Sequence, residues 1–63
     1  AVSLDQYRIA QDTYKKGDWD AFILNMELIL PLEPDSADIY YYIGEAYRFK
    51  GEPANAIRNY NEA

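Results

Sequence analysis

The 63-residue sequence contains no Cys and no His, and these two absences exclude several kinds of site. Without thiolate or imidazole groups, the usual zinc, haem and iron–sulfur centres cannot form, and neither can a Ser-His or Cys-His catalytic pair. Disulfides cannot stabilise so small a core, and the lack of Cys carries no information on compartment. We therefore expect no cofactor, and a metal could be bound only by carboxylates.

Basic residues and long apolar runs are also scarce. Six Lys and Arg stand against eleven Asp and Glu, which gives a net charge of −5. The basic residues are scattered, so we expect no nucleic-acid partner. No apolar run reaches the length of about 18 residues that spans a membrane, and no signal peptide is visible. The first residue is Ala1 rather than Met, from which we expect a processed or excised piece.

Glycine and proline, with three residues each, divide the chain into predicted helices. We expect the first helix over residues 3–16, with Ser3 as its N-cap and Gly17 as its stop. Asp18 is placed to cap the second helix, which should end near Leu30 because a proline follows. The apolar stripe of this second helix is formed by Trp19, Phe22, Ile23, Met26, Ile29 and Leu30.

Two more helices are predicted in the second half of the chain. The third begins at Asp35 or Ser36 and ends before Gly51. The fourth has Pro53 in its first turn and runs to the end of the chain. Every connection is short, so neighbouring helices should be antiparallel. The pattern predicts an all-α fold.

The glycines that end the predicted helices also reveal a repeat. Gly17 and Gly51 are equivalent, because each follows a helix that ends in Lys and precedes an acid and a second helix. Their spacing gives a helix–turn–helix unit of about 34 residues, which resembles the tetratricopeptide repeat with its pattern W-x₂-L-G-x₂-Y, A-x₃-F and P. The matching positions in the second half are Tyr40, Ile43, Gly44, Tyr47, Ala56 and Tyr60. Gly44 is the most informative, because glycine within a helix costs about 0.8–1 kcal/mol relative to alanine unless a neighbouring helix needs the space.

The first half matches this pattern less closely, and two alignments of its first helix are open. The unshifted alignment uses Gln6, Ile9, Ala10 and Thr13. An alignment shifted by one residue uses Tyr7, Ala10, Gln11 and Tyr14. We favour the shifted alignment because it restores both aromatic positions. In either alignment Phe22, Met26 and the closing Pro34 follow.

The resemblance implies one domain over residues 1–63, with a first repeat over 3–34 and a second over 37–63 that stops before its closing proline. Its architecture would be two helix–turn–helix units in a four-helix antiparallel solenoid segment. The implied function is a protein–protein interaction module, a scaffold or adaptor fragment rather than an enzyme. The first and third helices would line a groove for a peptide or helix of the partner.

The resemblance also implies which residues face that groove. They are Tyr41, Glu45, Arg48 and Phe49 on the third helix, and Arg8, Asp12 and Lys15 on the first, with Gln11 beside them. Tyr and Arg are common anchors in interfaces, and the alternative for Tyr41 and Phe49 is packing in the core. One branch of the family captures a C-terminal carboxylate with Lys, Asn and Arg. Because Glu45 would repel a carboxylate, we expect an apolar, basic or helical ligand instead.

Other functions were weighed against this one. The alternative of a different class is self-association into a homo-oligomer, in which exposed repeat ends bury Ile57 and Tyr60. A carboxylate hydrolase would need two opposed acids in a cleft, which such short repeats do not provide. The acids beside Gly17 lack calcium-loop spacing and are explained by helix caps and dipoles. Trp19 is expected to pack against Tyr14 or the next repeat.

Overall fold

The computed structural model describes residues 4–33 and 36–63, which are helical and contain no strand. The helices are α1 (Leu4–Lys16), α2 (Trp19–Ile29), α3 (Ala37–Lys50) and α4 (Pro53–Glu62), and a 3₁₀ turn (Leu30–Leu32) follows α2. The prediction of an all-α fold with four helices is therefore confirmed. Two of the predicted N-caps, Ser3 and Asp35, and the closing Pro34 of the first repeat lie outside the described residues.

The helices begin and end where local signals predict. Asp18 caps α2, and its carboxylate accepts a hydrogen bond from the backbone N–H of Ala21 at 3.4 Å. The α-helical geometry of α2 ends at Ile29, and the proline-containing 3₁₀ turn follows it directly. Ser36 occupies the N-cap position of α3, although its side chain makes no capping hydrogen bond. Pro53 is the first residue of α4, where its missing N–H costs nothing.

The turns after α1 and α3 have the same geometry. Gly17 and Gly51 both adopt left-handed backbone angles, with φ of 72° and 82°. Each glycine N–H donates to the carbonyl three residues earlier, and the next N–H donates to the carbonyl five residues earlier. These bonds are Gly17 N to Tyr14 O (3.1 Å), Asp18 N to Thr13 O (3.0 Å), Gly51 N to Arg48 O (3.0 Å) and Glu52 N to Tyr47 O (2.9 Å). Both turns are Schellman motifs, and each atom pair of the first turn has its equivalent one repeat period later in the second.

Burial agrees with the unshifted alignment at three of its four α1 positions, the exception being Ile9, which is exposed where its equivalent Ile43 is buried. Ala10 in α1 and Gly44 in α3 are both buried. The flanking pairs at unshifted positions, Gln6 with Tyr40 and Thr13 with Tyr47, are all half-buried. By contrast, the aromatic positions that the shifted alignment places inward, Tyr7 and Tyr14, are exposed. The shifted alignment is therefore wrong. The two turns match at the same repeat spacing, so α1 cannot be offset by one residue relative to α3.

Each helix packs against the next one in the sequence, so the core is continuous from α1 to α4. Contacts between early residues of one helix and late residues of its neighbour make successive helices antiparallel. Buried apolar side chains come from all four helices: Ala10, Phe22, Ile23, Met26, Ile29, Ile39, Ile43, Ala46 and Ala56. The predicted stripe of α2 supplies four of these, and Trp19 and Leu30 pack against them at its ends. The molecule is a slab of 30 × 26 × 12 Å.

Polar contacts add specific links between helices. Asn25 is buried in α2, and its Nδ2 donates to the backbone carbonyl of Gln6 in α1 at 2.7 Å. Lys50, the last residue of α3, forms an ion pair with Asp20 in α2 and another with Glu52 at 3.0 Å. These bonds hold the start of α2 close to the end of α3.

Candidate binding groove

An open groove of about 660 Å³ runs between α1 and α3, with α2 beneath it. Its volume falls within the range of about 300–1,000 Å³ that is typical of ligand sites. The floor consists of buried apolar side chains from three helices: Ala10, Phe22, Met26 and Ile39. The folded chain thus keeps an apolar surface at the base of a groove that solvent can enter.

Three tyrosines form the walls of the groove. Tyr7 and Tyr14 line it from α1, and Tyr42 lines it from α3. The Tyr14 ring is fixed by edge contacts with Trp19 and Phe22, at centroid distances of 5.3 and 5.4 Å. Each tyrosine is partly exposed and combines an apolar ring with a hydroxyl, the combination that is favoured at binding surfaces.

The two ends of the groove carry opposite charges. At one end lie Glu33, which follows the 3₁₀ turn, and Asp38 in the first turn of α3. The Tyr7 hydroxyl donates to the Glu33 carboxylate at 2.5 Å, and this hydrogen bond raises the pKa of Tyr7. Lys15 lines the other end and lies eight residues beyond Tyr7 in α1, a rise of about 12 Å along the helix.

One of the predicted partner-binding residues lines this groove, namely Lys15. Elsewhere on α1, Asp12 is exposed and Arg8 forms an exposed ion pair with Asp5 at 3.0 Å. Neither residue belongs to the groove lining.

The predicted residues Tyr41, Glu45 and Arg48 form a separate cluster toward α4. Glu45 is half-buried and pairs with Arg48 at 2.9 Å. A hydrogen bond from the Tyr41 hydroxyl is the main reason that the pKa of Glu45 is lowered, and the bond from Arg48 adds to it. The Tyr41 ring also lies against Tyr60 of α4, with centroids 5.8 Å apart. The polar groups of this cluster largely satisfy one another.

Phe49, the last of the predicted set, stacks on Trp19 with ring centroids 4.9 Å apart. Trp19 also meets Tyr14 edge-on at 5.3 Å. The prediction that Trp19 packs against Tyr14 or the next repeat is therefore confirmed on both sides. Phe49 remains partly exposed, and the Arg48 guanidinium lies 5.2 Å from its ring centroid.

Four groove-lining residues of α1 lie one repeat period before the residues predicted on the third helix. Moved back by one repeat period, the spacing between Gly51 and Gly17, the four positions predicted on the third helix fall on Tyr7, Gln11, Tyr14 and Lys15. All four line the groove. The four residues predicted on α3 do not line the groove themselves, so the period relates them to the lining of α1 and not to that of α3.

Comparison with family models, with curated proteins and with solved structures gave no match in any of the three. In the described part of the chain, no helix is long and apolar enough to cross a membrane. Within the same residues, no three acidic side chains come together as a metal-binding group.

Proposed function

We propose that this chain is a protein–protein interaction module of the tetratricopeptide-repeat type, and that its groove between α1 and α3 binds a segment of a partner protein. One observation carries the proposal: an open groove with an apolar floor and tyrosine walls lies between α1 and α3, the two helices that the repeat resemblance assigns to a binding groove. The two matched Schellman turns support the repeat period independently.

The shape and chemistry of the groove favour an amphipathic peptide or helix as the ligand. An apolar floor accepts side chains spaced at i, i+3 and i+4 from a helix. The tyrosine walls supply rings for apolar contact and hydroxyls for the ligand backbone or polar side chains. Lys15 is the one cation among the described lining residues, so a clamp of several bases around a carboxylate is not formed. We propose a ligand outside the carboxylate-clamp class.

Two adjacent tyrosines provide a matched test. Tyr42 lines the groove and Tyr41 does not, although their exposed fractions are 44% and 47%. Tyr42→Ala should weaken binding of an amphipathic helical peptide by about tenfold, or about 1.4 kcal/mol, which is more than most interface residues contribute. Tyr41→Ala should leave the affinity unchanged. Peptides from a panel with varied Leu and Ile spacing would be titrated into the labelled chain, with amide chemical shifts reporting the contacted residues.

The outcomes separate the possible surfaces. Shift changes along α1 and α3 that disappear with Tyr42→Ala support the groove. If Tyr41→Ala alone loses binding, the ligand occupies the cluster around Glu45 and the groove assignment is wrong. If no peptide of the panel produces shift changes, the proposed function fails.

Self-association is a second candidate, and one comparison favours it. Ile57 in α4 is 59% exposed, whereas its equivalent Ile23 is 5% exposed and lies in α2, which packs against both α1 and α3. A similar relation holds at the other end, where Ile9 in α1 is exposed and its equivalent Ile43 in α3 is buried. We propose that α1 of a second copy would place Ile9 against Ile57, in a head-to-tail contact that can extend to further copies.

Sedimentation over a wide concentration range tests this second candidate. Association should weaken with both Ile57→Glu and Ile9→Glu. Leu28→Glu is the control, because Leu28 has the same 59% exposed fraction as Ile57 but lies on α2, between the two ends of the repeat. A chain that stays monomeric at every concentration, or one that responds equally to Leu28→Glu, excludes this contact.

A further inference from the structure

The groove carries opposite charges at its two ends, and these charges determine which ligand groups can bind at each end. Glu33 and Asp38 share one end, and Lys15 occupies the other. Because the separation along α1 is about 12 Å, longer than a Debye length at physiological salt, a ligand charge experiences chiefly the end that it touches. The acidic end therefore selects the ligand separately from Lys15.

The two carboxylates at the acidic end form no ion pair with the residues that the structure describes. The ion pairs of residues 4–33 and 36–63 use Asp5, Asp20, Glu45 and Glu52 as acids. Neither Glu33 nor Asp38 takes part in any of these pairs. The Tyr7 hydroxyl holds Glu33 in position without cancelling its charge. A fixed carboxylate next to an apolar floor favours a cationic ligand group.

Aromatic rings stand on both sides of this end. Tyr7 from α1 and Tyr42 from α3 line the same groove as the two carboxylates. The face of an aromatic ring attracts an ammonium or guanidinium group, more strongly where water is partly excluded. The long methylene stem of Lys or Arg would meanwhile lie over the apolar floor. Rings, carboxylates and floor thus favour the same class of side chain.

We infer that the partner segment inserts a Lys or Arg side chain into the acidic end of the groove, between Tyr7 and Tyr42 and against Glu33 and Asp38. This inference rests on the proposed function, since it names the chemistry of the ligand for the same groove. The net charge of −5 acts in the same direction, because it accelerates the encounter with a basic segment.

The test uses end-capped helical peptides that differ at one position. A Leu- and Ala-based peptide carries a single Lys at its start, middle or end, and each has a twin with Gln at that position. The best Lys peptide should bind the wild-type chain roughly fivefold more tightly than its Gln twin, as expected for one partly exposed cation with rings and carboxylates. The advantage should shrink as salt is added.

Paired variants locate the effect on the protein. The double variant Glu33→Gln and Asp38→Asn should bind the Lys and Gln peptides equally. Its control is Glu27→Gln with Glu62→Gln, which removes the same charge from two exposed positions outside the groove and should keep the Lys preference. Circular dichroism checks that each variant is folded, and the comparison of peptides on the wild-type chain needs no variant at all.

Each outcome decides one of the two hypotheses. Equal binding of Lys and Gln peptides at the groove overturns the cation site and leaves the proposed function standing. If the control variant also loses the preference for the Lys peptide, the preference is an effect of net charge, and the cation site is overturned as well. If none of the peptides shifts the groove amides, the proposed function itself has failed.

Discussion

The ring of Tyr60 lies 2.8 Å from the point that a Cβ on residue 44 would occupy, so that Gly44 and Tyr60 fit together only because position 44 has no side chain. The carbonyl oxygen of Ala56 lies 3.1 Å from the same point. Gly44 sits within α3, where glycine costs about 1 kcal/mol relative to alanine. The expectation that a neighbouring helix needs this space is confirmed, and the neighbour is α4.

This fit predicts that the effect of Gly44→Ala depends on Tyr60. In the wild-type chain the added methyl must displace a ring, and we expect a loss of about 1–3 kcal/mol in the free energy of unfolding. In a Tyr60→Ala background the ring clash is absent and only the 3.1 Å approach of the Ala56 carbonyl oxygen remains, so Gly44→Ala should cost clearly less than in the wild-type chain. Urea unfolding of the two single variants and the double variant measures the coupling. Additive effects would contradict the contact.

The two left-handed glycines predict similar losses of stability when either one is replaced by alanine. Apart from its chain neighbours, no described residue has an atom within 4 Å of a Cβ built at Gly17 or Gly51, so alanine there meets chiefly backbone strain. We expect Gly17→Ala and Gly51→Ala each to lower the free energy of unfolding by about 1–2 kcal/mol. Asparagine, which tolerates the left-handed region better, should cost less at both sites. A loss at one turn and none at the other would show that the turns are not equivalent.

The helix boundaries could be predicted from sequence because each is set by a local signal. The carboxylate of Asp18 reaches an N–H three residues away, Gly51 adopts an angle that few other residues tolerate, and Pro53 lacks an N–H that α4 does not need. None of these signals depends on how the helices pack. The four helices therefore followed from the order of breakers along the chain.

The lining of the groove could not be predicted in the same way. The shifted alignment placed Tyr7 and Tyr14 at the aromatic positions of the repeat, but both line an open groove and the buried residue between them is Ala10. Which ring faces solvent depends on the distance between α1 and α3, which no local pattern reports. The Asn25 hydrogen bond to Gln6 was missed for the same reason, since its acceptor is a backbone carbonyl on another helix.

The stacking of Phe49 on Trp19 predicts a structural role for Phe49. Phe49→Ala should lower the free energy of unfolding by about 0.5–1.5 kcal/mol for the lost ring pair, in addition to the lost apolar burial. Trp19 is the single tryptophan of the chain, so its fluorescence should change in the folded variant. The affinity for a groove peptide should be unchanged. If binding falls while stability and fluorescence stay constant, Phe49 is a contact residue as the sequence suggested.

The ion pairs of Glu45 and Glu52 predict a loss of stability in acid. Hydrogen bonds lower the pKa of both carboxyls. The largest effect on Glu45 comes from the Tyr41 hydroxyl, and the largest effect on Glu52 comes from Lys50. A lowered pKa in the folded state adds stability above the unfolded value of 4.5, and this contribution is lost as pH falls through the folded value. Glu45→Gln should therefore flatten the fall in melting temperature between neutral and acid pH. The control Glu27→Gln, at an exposed position outside the network, should leave the slope closer to wild type.

Asn25 and Asn59 occupy equivalent positions of the repeat and predict unequal effects. The Asn25 amide is buried and donates to the Gln6 carbonyl across the α1–α2 interface at 2.7 Å. The Asn59 amide is half-buried and donates to Asn55 within its own helix at 2.9 Å. Asn25→Ala should cost about 1–3 kcal/mol, because it leaves a cavity and removes a bond between helices. Asn59→Ala should cost less than about 0.5 kcal/mol, since α4 keeps its backbone bonds and alanine is the better helix former. Urea unfolding of the two variants measures both values, and equal losses would mean that the bond from Asn25 does not stabilise the α1–α2 interface.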